Sequence, residues 1–471
     1  MKNKLVLSLI SGCISIPAFT QEHVNFVVIN LDDCGYGDFS YNGAFGYTTP
    51  NIDKMAAEGM QFSHFLAAQP VSGASRAALL TGCYPNRIGF SGAPGPDSKT
   101  GIDTGEETIA EVLKKKNYAT AAYGKWHLGH LEPFLPLQNG FDEYYGIPYS
   151  NDMWPHHPQQ GTWFNFPDLP TIENNKIIGY NTDQTRFTTD FTDRAVNFIK
   201  MHKDSPFFVY LAHPMPHVPL AVSDKFKGKS EQGLYGDVIM EIDWSVGQIL
   251  SALRELNLEE NTLVILTSDN GPWINYGNHA GSTGGLREGK GTTFDGGNRV
   301  PCIMYWKGKI EAGTVCNTMA VNMDILPTLA DISGAALPER KIDGVSIYPL
   351  LKGENFKPHE FFYYYYRKNS LEAVTDGTFK LILPHKHRTY TLYPPGNDGQ
   401  PGKVEEYYEL KDYELYDLRR DPGERYNVIE QYPGIADMLM KAANVAREDL
   451  GDDITKVEGA NRRPIGVAIA N

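Results

Sequence analysis

Phe26-Val27-Val28-Ile29-Asn30, with Asp32-Asp33 just beyond it, is the stretch on which the fold reading turns. A short run rich in β-branched side chains and without polar alternation reads as a strand buried on both faces. Working outward, residues 118–123, 207–211, 263–266 and 302–306 repeat that texture. Between them, 190–201 and 238–256 carry helical periodicity, and Thr49-Pro50 caps a helix over 51–59 with proline at its favoured first position. Strands interleaved with helices predict right-handed βαβ units, hence an α/β fold with a large, mostly parallel sheet sandwiched by helices. Beyond about residue 355 the texture changes. Short strands at 361–366, 371–375, 380–383 and 413–418 lack long intervening helices, and one helix follows at 435–450. This predicts a smaller α+β domain with an antiparallel sheet, with 394–402 as a loop inside it and the last twenty residues as a tail. The expected division is a leader over 1–20, a catalytic-type domain over 21–354 and a C-terminal domain over 355–471.

Composition narrows the class. Of 471 residues, 41% are hydrophobic and 21% charged, which excludes a largely disordered chain. Asp and Glu number 57 against 43 Lys and Arg, giving −14, the opposite of the basic balance a nucleic-acid binder needs. No long apolar run lies beyond the N-terminus, so no polytopic membrane protein and no membrane span is expected. Lys2 and Lys4, the apolar stretch 5–16 and Ala18-Phe19-Thr20 before Gln21 read as an export signal. The expected location is the periplasm or cell surface of a Gram-negative bacterium. Ile10-Ser11-Gly12-Cys13 also resembles a lipoprotein box, but the apolar core before Cys13 is short, which favours the cleaved form. Removing Cys13 leaves Cys34, Cys83, Cys302 and Cys316, too few for a disulfide framework and without zinc spacing.

The polar clusters fall just after strands: Asp32-Asp33, Lys125 to His127, His213 to His217, and Asp269-Asn270. Open α/β sheets bind ligands at the carboxyl ends of their strands, so these clusters are expected to converge on one crevice. Adjacent carboxylates repel unless a cation or proton intervenes. Asp32, Asp33, Asp269 and Asn270 offer only oxygen donors, which favours one hard cation such as calcium or magnesium over a solvated Asp-Asp turn. The segment Ser72-Gly73-Ala74-Ser75-Arg76, continuing to Leu80-Thr81-Gly82, places a serine at a helix entry with an arginine one turn on. Those residues alone fit either a nucleophile with an anion-binding arginine or an N-cap serine beside a surface arginine.

That segment resembles the signature of the type I, formylglycine-dependent sulfatases of the alkaline phosphatase superfamily. Ser72, Arg76 and Leu80-Thr81-Gly82 match it residue by residue. Asp32-Asp33 with Gly35-Tyr36-Gly37-Asp38, Gly124-Lys125-Trp126-His127-Leu128-Gly129, His213 to Pro219, Ser268-Asp269-Asn270-Gly271 and Gly289-Lys290-Gly291 resemble further motifs of that family. So does the segment from Tyr413, followed by Asp421-Pro422-Gly423-Glu424, and the likeness spans about 24–450. Serine at 72 and alanine at 74, where the better-known form has cysteine and proline, resemble the serine-type branch. The resemblance implies that a radical S-adenosylmethionine maturase converts Ser72 to formylglycine. It implies that Asp32, Asp33, Asp269, Asn270 and the modified Ser72 hold calcium, and that Arg76, Lys125 and Lys290 neutralise sulfate. It also implies that His217 gives a proton to the departing sugar oxygen and that His127 takes one from the remaining hydroxyl.

The activity so implied is hydrolysis of sulfate esters of carbohydrates, in mucin O-glycans or glycosaminoglycans, with terminal sulfated galactose or N-acetylgalactosamine favoured. His156, His157, His385 and Arg388 fall outside the shared motifs and are expected to line the entrance and read the sugar. Two readings compete. One is a phosphatase or phosphonate-ester hydrolase of the same superfamily, although the oxygen ligands here supply only one cation. The other is a sulfated-glycan binding protein in which Ser72 stays unmodified.

Overall fold

The computed structural model describes residues 23–468, so the export signal and lipoprotein box read over 1–20 lie outside the described residues. Its spine is a ten-stranded sheet. Five neighbouring strands, Thr262–Ser268, Asn25–Leu31, Phe207–Ala212, Ala119–Lys125 and Glu143–Ile147, run parallel. Asn25–Leu31 lies between Thr262–Ser268 and Phe207–Ala212, fifth of the ten strands, and each of its residues is buried. The alternation of a strand then sorts them between two cores. Phe26 and Val28 face Ala74, Ala77 and Leu80 of the helix Ser72–Thr81, whereas Val27, Ile29 and Leu31 face Phe191, Ile239 and Ile242 of the helices Phe187–Met201 and Gly233–Glu255. Each fully buried side chain of this size contributes about 1.5–3 kcal/mol.

Some elements depart from the sequence reading for identifiable reasons. Cys302–Tyr305 runs antiparallel to Thr262–Ser268, because the irregular segment between them contains no crossover helix of the length a parallel return requires. The helix Pro50–Glu58 begins where expected, but Thr49 does not cap it: its hydroxyl turns to Asp53, and the amides of Asn51 and Ile52 donate instead to Asp243 at 2.9 and 2.8 Å. All four cysteines among the described residues are buried and free. No helix of the described residues is long and apolar enough to cross a membrane.

The C-terminal region carries a four-stranded antiparallel sheet, ordered Phe362–Tyr366, Ser370–Thr375, Phe379–Ile382 and Glu414–Asp417. Leu439, Ala443 and Ala446 of the helix Pro433–Leu450 close its core. A separate antiparallel pair, His385–Thr389 with Glu405–Leu410, encloses the 394–402 loop. The last residues, expected as a tail, instead return to the first domain. Gly466–Val467 pairs with Thr100–Gly101, and Arg463 grips Glu106 at 2.7 and 2.8 Å. A strand of two residues held by a distant partner leaves no periodic signal in sequence.

The two domains are joined through shared core, with Leu66, Ala78, Tyr84 and Phe294 packing against the C-terminal sheet, and through a buried ion cluster. Lys380 Nζ lies 2.9 Å from Asp295 Oδ1 and 2.8 Å from Glu424 Oε1, with all three side chains fully buried, and Arg299 reaches Asp295 at 2.6 Å. Burial opposes the charge of Asp295, but Lys380 and Arg299 outweigh it and hold that carboxyl below the usual range, whereas burial lifts Glu424 above it. Removing one partner strands a buried charge. Lys380→Met is therefore expected to cost about 3–5 kcal/mol in urea unfolding; a loss below about 1 kcal/mol contradicts this role for the cluster.

Candidate active site

The parallel strands deliver their polar clusters to one end of the sheet. Leu31 and Ser268 are register partners, so Asp32-Asp33 and Asp269-Asn270 emerge side by side. Asp33 adopts a left-handed backbone, φ 61°, and its amide donates to Asp269 Oδ1 at 3.1 Å. Lys125 ends its own strand. Gly124 before it has φ 109°, and a Cβ there would lie 2.0 Å from the carbonyl oxygen of Ala212, so only glycine lets the lysine strand close on its neighbour. Ser72 is the first residue of its helix and not the cap, which is the extended Val71. All ten residues of that helix are buried, and Arg76 is fully enclosed, so the alternative of a cap serine with a surface arginine does not hold.

The resulting contacts are dense. Ser72 Oγ donates to Asp32 Oδ1 at 3.0 Å and lies 3.4 Å from Asn270 Oδ1. Asp32 Oδ2 also receives Lys125 Nζ, whose other partner is Ser150 Oγ at 3.1 Å. Asp33 accepts from Asn270 Nδ2 at 2.7 Å and Lys290 Nζ at 2.9 Å, with His217 Nε2 3.6 Å away. Arg76 donates through Nε to Asp269 Oδ2 at 3.0 Å and through Nη1 to the carbonyl of Lys125 at 3.0 Å. His217 Nδ1 meets the carbonyl of Val218; a carbonyl only accepts, so Nδ1 carries a proton and Nε2 is the nitrogen that exchanges one. His127 has φ 65°, and neither of its buried ring nitrogens has a partner.

Burial and charge set the protonation states. Burial works against Asp32 as an anion, but Lys125, His217, Arg76 and Lys290 prevail and hold its carboxyl well below the usual range. Asp269 is pushed up to about 6 by burial and by the charge of Asp32. Burial lowers Lys125, while Lys290 is raised because Asp33 and Asp32 outweigh the cost of burying it. His127 is driven well below its ordinary value by burial and by Lys125, so it is neutral and can accept a proton.

These residues fit a hard divalent cation. Ligand atoms of Asp32, Asp33 and His217 lie within 4.8 Å of one another; Ser72 Oγ touches Asp32 Oδ1 and lies 3.4 Å from Asn270 Oδ1, and Asp269 Oδ1 accepts from the Asp33 amide. A buried set dominated by carboxylate and amide oxygen suits calcium or magnesium.

Ser72, Lys125, His127, His217, Lys290 and Arg388 line one cavity of about 190 Å³. Arg76 is not among the lining residues; its fully buried guanidinium is bound to Asp269 and the Lys125 carbonyl. The cavity shares Asp152, Met153, Trp273 and Arg388 with a larger one of about 510 Å³, walled by His157, Phe164, Phe166, Tyr276 and Lys403. Of the four residues expected to read the sugar, Arg388 and His157 are thus brought to the site. His156 is exposed and packs edge-on against Trp154, and His385 is buried beside a separate cavity of about 570 Å³. Sequence reasoning did not single out Ser150 or Trp273, over whose ring Lys290 Nζ sits at 4.5 Å. Ser150 follows the strand Glu143–Ile147, and reading that strand would have flagged it by the strand-end rule.

His213, in the same strand-end cluster, stays outside the cavity. It bonds Ser245 Oγ at 2.9 Å and is lowered to about 3 by burial, as is His64 in the first domain. Both stay neutral in the fold, whereas the unfolded chain protonates them below about pH 6.5. Stability is therefore expected to fall with pH from about 6.5 towards 3, by about 2 kcal/mol per histidine at pH 5. Urea unfolding at pH 7 and pH 5 measures this, and His213→Gln should remove its share; an unchanged pH dependence in that variant contradicts the assignment.

The chain resembles proteins of known activity along most of its length. Residues 24–335 match the family model described as Sulfatase, and residues 289–448 match one described as N-sulphoglucosamine sulphohydrolase, C-terminal. N-acetylgalactosamine-6-sulfatase of Mus musculus is 37% identical over 475 residues, covering 94% of this chain and 89% of that protein. Arylsulfatase A of Homo sapiens is 36% identical over 447 residues, covering 89% and 86%. A solved structure, BT33336S-sulf, from work on the metabolism of multiple glycosaminoglycans by Bacteroides thetaiotaomicron, is 29% identical with a TM-score of 0.75, covering 90% and 99%.

Proposed function

The chain belongs to the sulfatase family of the alkaline phosphatase superfamily and is a sulfuric ester hydrolase; from this we propose that it is an exported enzyme that removes sulfate from carbohydrates, with formylglycine made from Ser72 as its nucleophile. The observation that carries the reading is the setting of Ser72. Its oxygen lies at 3.0 and 3.4 Å from oxygens of Asp32 and Asn270, and its residue lines a cavity together with two lysines and two histidines. A hydrated aldehyde at this position, installed by a serine-type maturase, supplies one hydroxyl to attack sulfur and a second through which sulfate can leave. Asp32, Asp33, Asp269, Asn270 and Ser72 would hold calcium, which supplies Lewis-acid activation of that hydroxyl and a grip on a sulfate oxygen.

The chain's own residues divide the remaining work. Lys125 and Lys290 bring positive charge to the cavity wall and offset the charge that develops on sulfate oxygens. His217, anchored through Nδ1 on the Val218 carbonyl, presents Nε2 as the proton donor to the departing sugar oxygen. Asp269, pushed up to about 6, would take the proton of the attacking hydroxyl, and neutral His127 the one that must leave for sulfate to be expelled. Arg76 acts as a positioning residue that fixes Asp269 and the end of the Lys125 strand.

The cleft beyond supports a carbohydrate. Phe164, Phe166, Trp273 and Tyr276 offer apolar faces for a sugar ring, while His157, Arg388 and Lys403 supply polar contacts. The mouse relative is named for N-acetylgalactosamine 6-sulfate, and the bacterial structure comes from glycosaminoglycan metabolism. These names support sulfated N-acetylgalactosamine of glycosaminoglycans; the proposal extends to terminal sulfated galactose and to mucin O-glycans. The Lys2 to Thr20 leader supports export to the periplasm or cell surface.

Protein co-produced with a serine-type maturase should release sulfate from 6-sulfated N-acetylgalactosamine or galactose and leave the matching phosphate esters intact. Calcium chelation should abolish activity and added calcium restore it. Ser72→Ala should reduce kcat by at least about a thousandfold. Faster turnover of phosphate esters, or an active Ser72→Ala variant, contradicts the proposal. His217→Ala should cost about 10²–10⁴ in kcat on a sugar sulfate, and far less on 4-nitrophenyl sulfate, whose leaving group needs little proton assistance; equal losses on both contradict the proton-donor role.

A further inference from the structure

The cavity of about 570 Å³ that holds His385 has no part in the chemistry above. It lies between the turn at Arg367–Ser370, the strand pair His385–Thr389 and Glu405–Leu410, and the loop at Ile454. We propose that it is a second, non-catalytic binding site for a sulfated glycan chain, which tethers polymeric substrate to the enzyme. The choice of ligand rests on the carbohydrate reading above.

The cavity is cationic. Arg367, Lys386 and Lys411 line the cavity against a single carboxylate, Glu409, in a chain whose net charge is −14. An acidic protein repels a polyanion over most of its surface, so a local cationic cleft is where such a chain settles. Lys386 and Lys411 are exposed, and neither amine has a carboxylate within 4.0 Å among the described residues, although Glu409 is the cross-strand partner of Lys386.

The contacts also have a shape that suits a sulfated sugar. Tyr407 is 63% exposed, and the guanidinium of Arg367 lies 4.7 Å from its ring centroid. An exposed aromatic ring beside a guanidinium suits a sugar bearing a sulfate, since the ring takes the apolar face and the guanidinium takes two sulfate oxygens. Arg367 is built into place: its backbone is left-handed, φ 44°, and Nη2 donates to the carbonyl of Glu406 at 2.5 Å, while Nε has no protein partner. Pro384, Leu410 and Ile454 supply apolar wall.

His385 and Leu410 are partners at one end of the strand pair, and Thr389 and Glu405 at the other. Arg388 and Glu406, near that second end, line the catalytic cleft and bond each other at 3.0 Å. The two sites are therefore about one short strand apart, roughly 13 Å, a span that a few linked sugars cover. A chain held at the outer site raises the effective concentration of its sulfated units at Ser72.

The test uses Lys386→Ala/Lys411→Ala, two exposed positions outside the catalytic cleft. Binding is measured on the full chain with Ser72 unmodified, by calorimetry with chondroitin 6-sulfate and with desulfated chondroitin as control. The parent should bind the sulfated polymer and not the control, and the double variant should bind it at least about tenfold more weakly. In matured protein the variant should raise KM for the polymer with kcat unchanged, and leave kcat/KM on 6-sulfated N-acetylgalactosamine within about twofold. No binding by the parent, equal binding by the variant, or the same loss on the monosaccharide overturns the proposal. If matured protein hydrolyses neither probe, the catalytic reading fails while the binding comparison still decides this site.

Discussion

Asp32, Asp33 and Asp269 are buried side by side against Arg76, Lys125 and Lys290, and the surrounding structure answers to that arrangement. Charges taken out of water cost several kcal/mol each unless opposite charges and hydrogen bonds meet them. The parallel strands answer by ending in register, so that the carboxylates arrive together. The helix Ser72–Thr81 is built of small residues where it passes beneath, which brings Arg76 into contact with Asp269. Gly124 lets the lysine strand approach. Each of these features packs the core and also places charge.

The C-terminal domain completes this arrangement from the outside. Lys380 bridges Asp295 and Glu424, which fixes the segment that carries Lys290 to the second sheet. The hydroxyl of Tyr390 donates to the Lys290 carbonyl, and Arg388 reaches the cavity from the same strand pair. The site is thus a joint product: the parallel sheet contributes the groups closest to Ser72, and the antiparallel pair closes the wall where a sugar would lie. This division fits a family in which one reaction serves many substrates, because the reacting groups sit on rigid strands and the recognition groups on a separable element.

Much of this was legible in the sequence. The β-branched runs marked the central strands, and polar residues just past their ends marked the crevice, since both follow from local periodicity. What was hidden depends on partners far away in the chain. Asp243 caps a helix that begins at Pro50, and nothing near Thr49 reveals it. His385 and Arg388 looked equivalent in one polar run, yet they stand near opposite ends of the strand pair, His385 beside a separate cavity and Arg388 beside that of Ser72. Arg76 reads by resemblance as a residue that neutralises sulfate, and its full burial and its bonds to Asp269 and the Lys125 carbonyl were not legible in the sequence. The strand pair that carries Arg388 has no helix or apolar run to announce it, so its role emerged only from the fold.

The most direct test of the account is the mass of the proteolytic peptide that carries Ser72, taken from protein produced together with a serine-type maturase. The account predicts a peptide lighter by two hydrogens that reacts with a hydrazine, because the proposed nucleophile is an aldehyde made from Ser72. A peptide of unmodified mass, from a maturase shown to be active on another substrate, would contradict it.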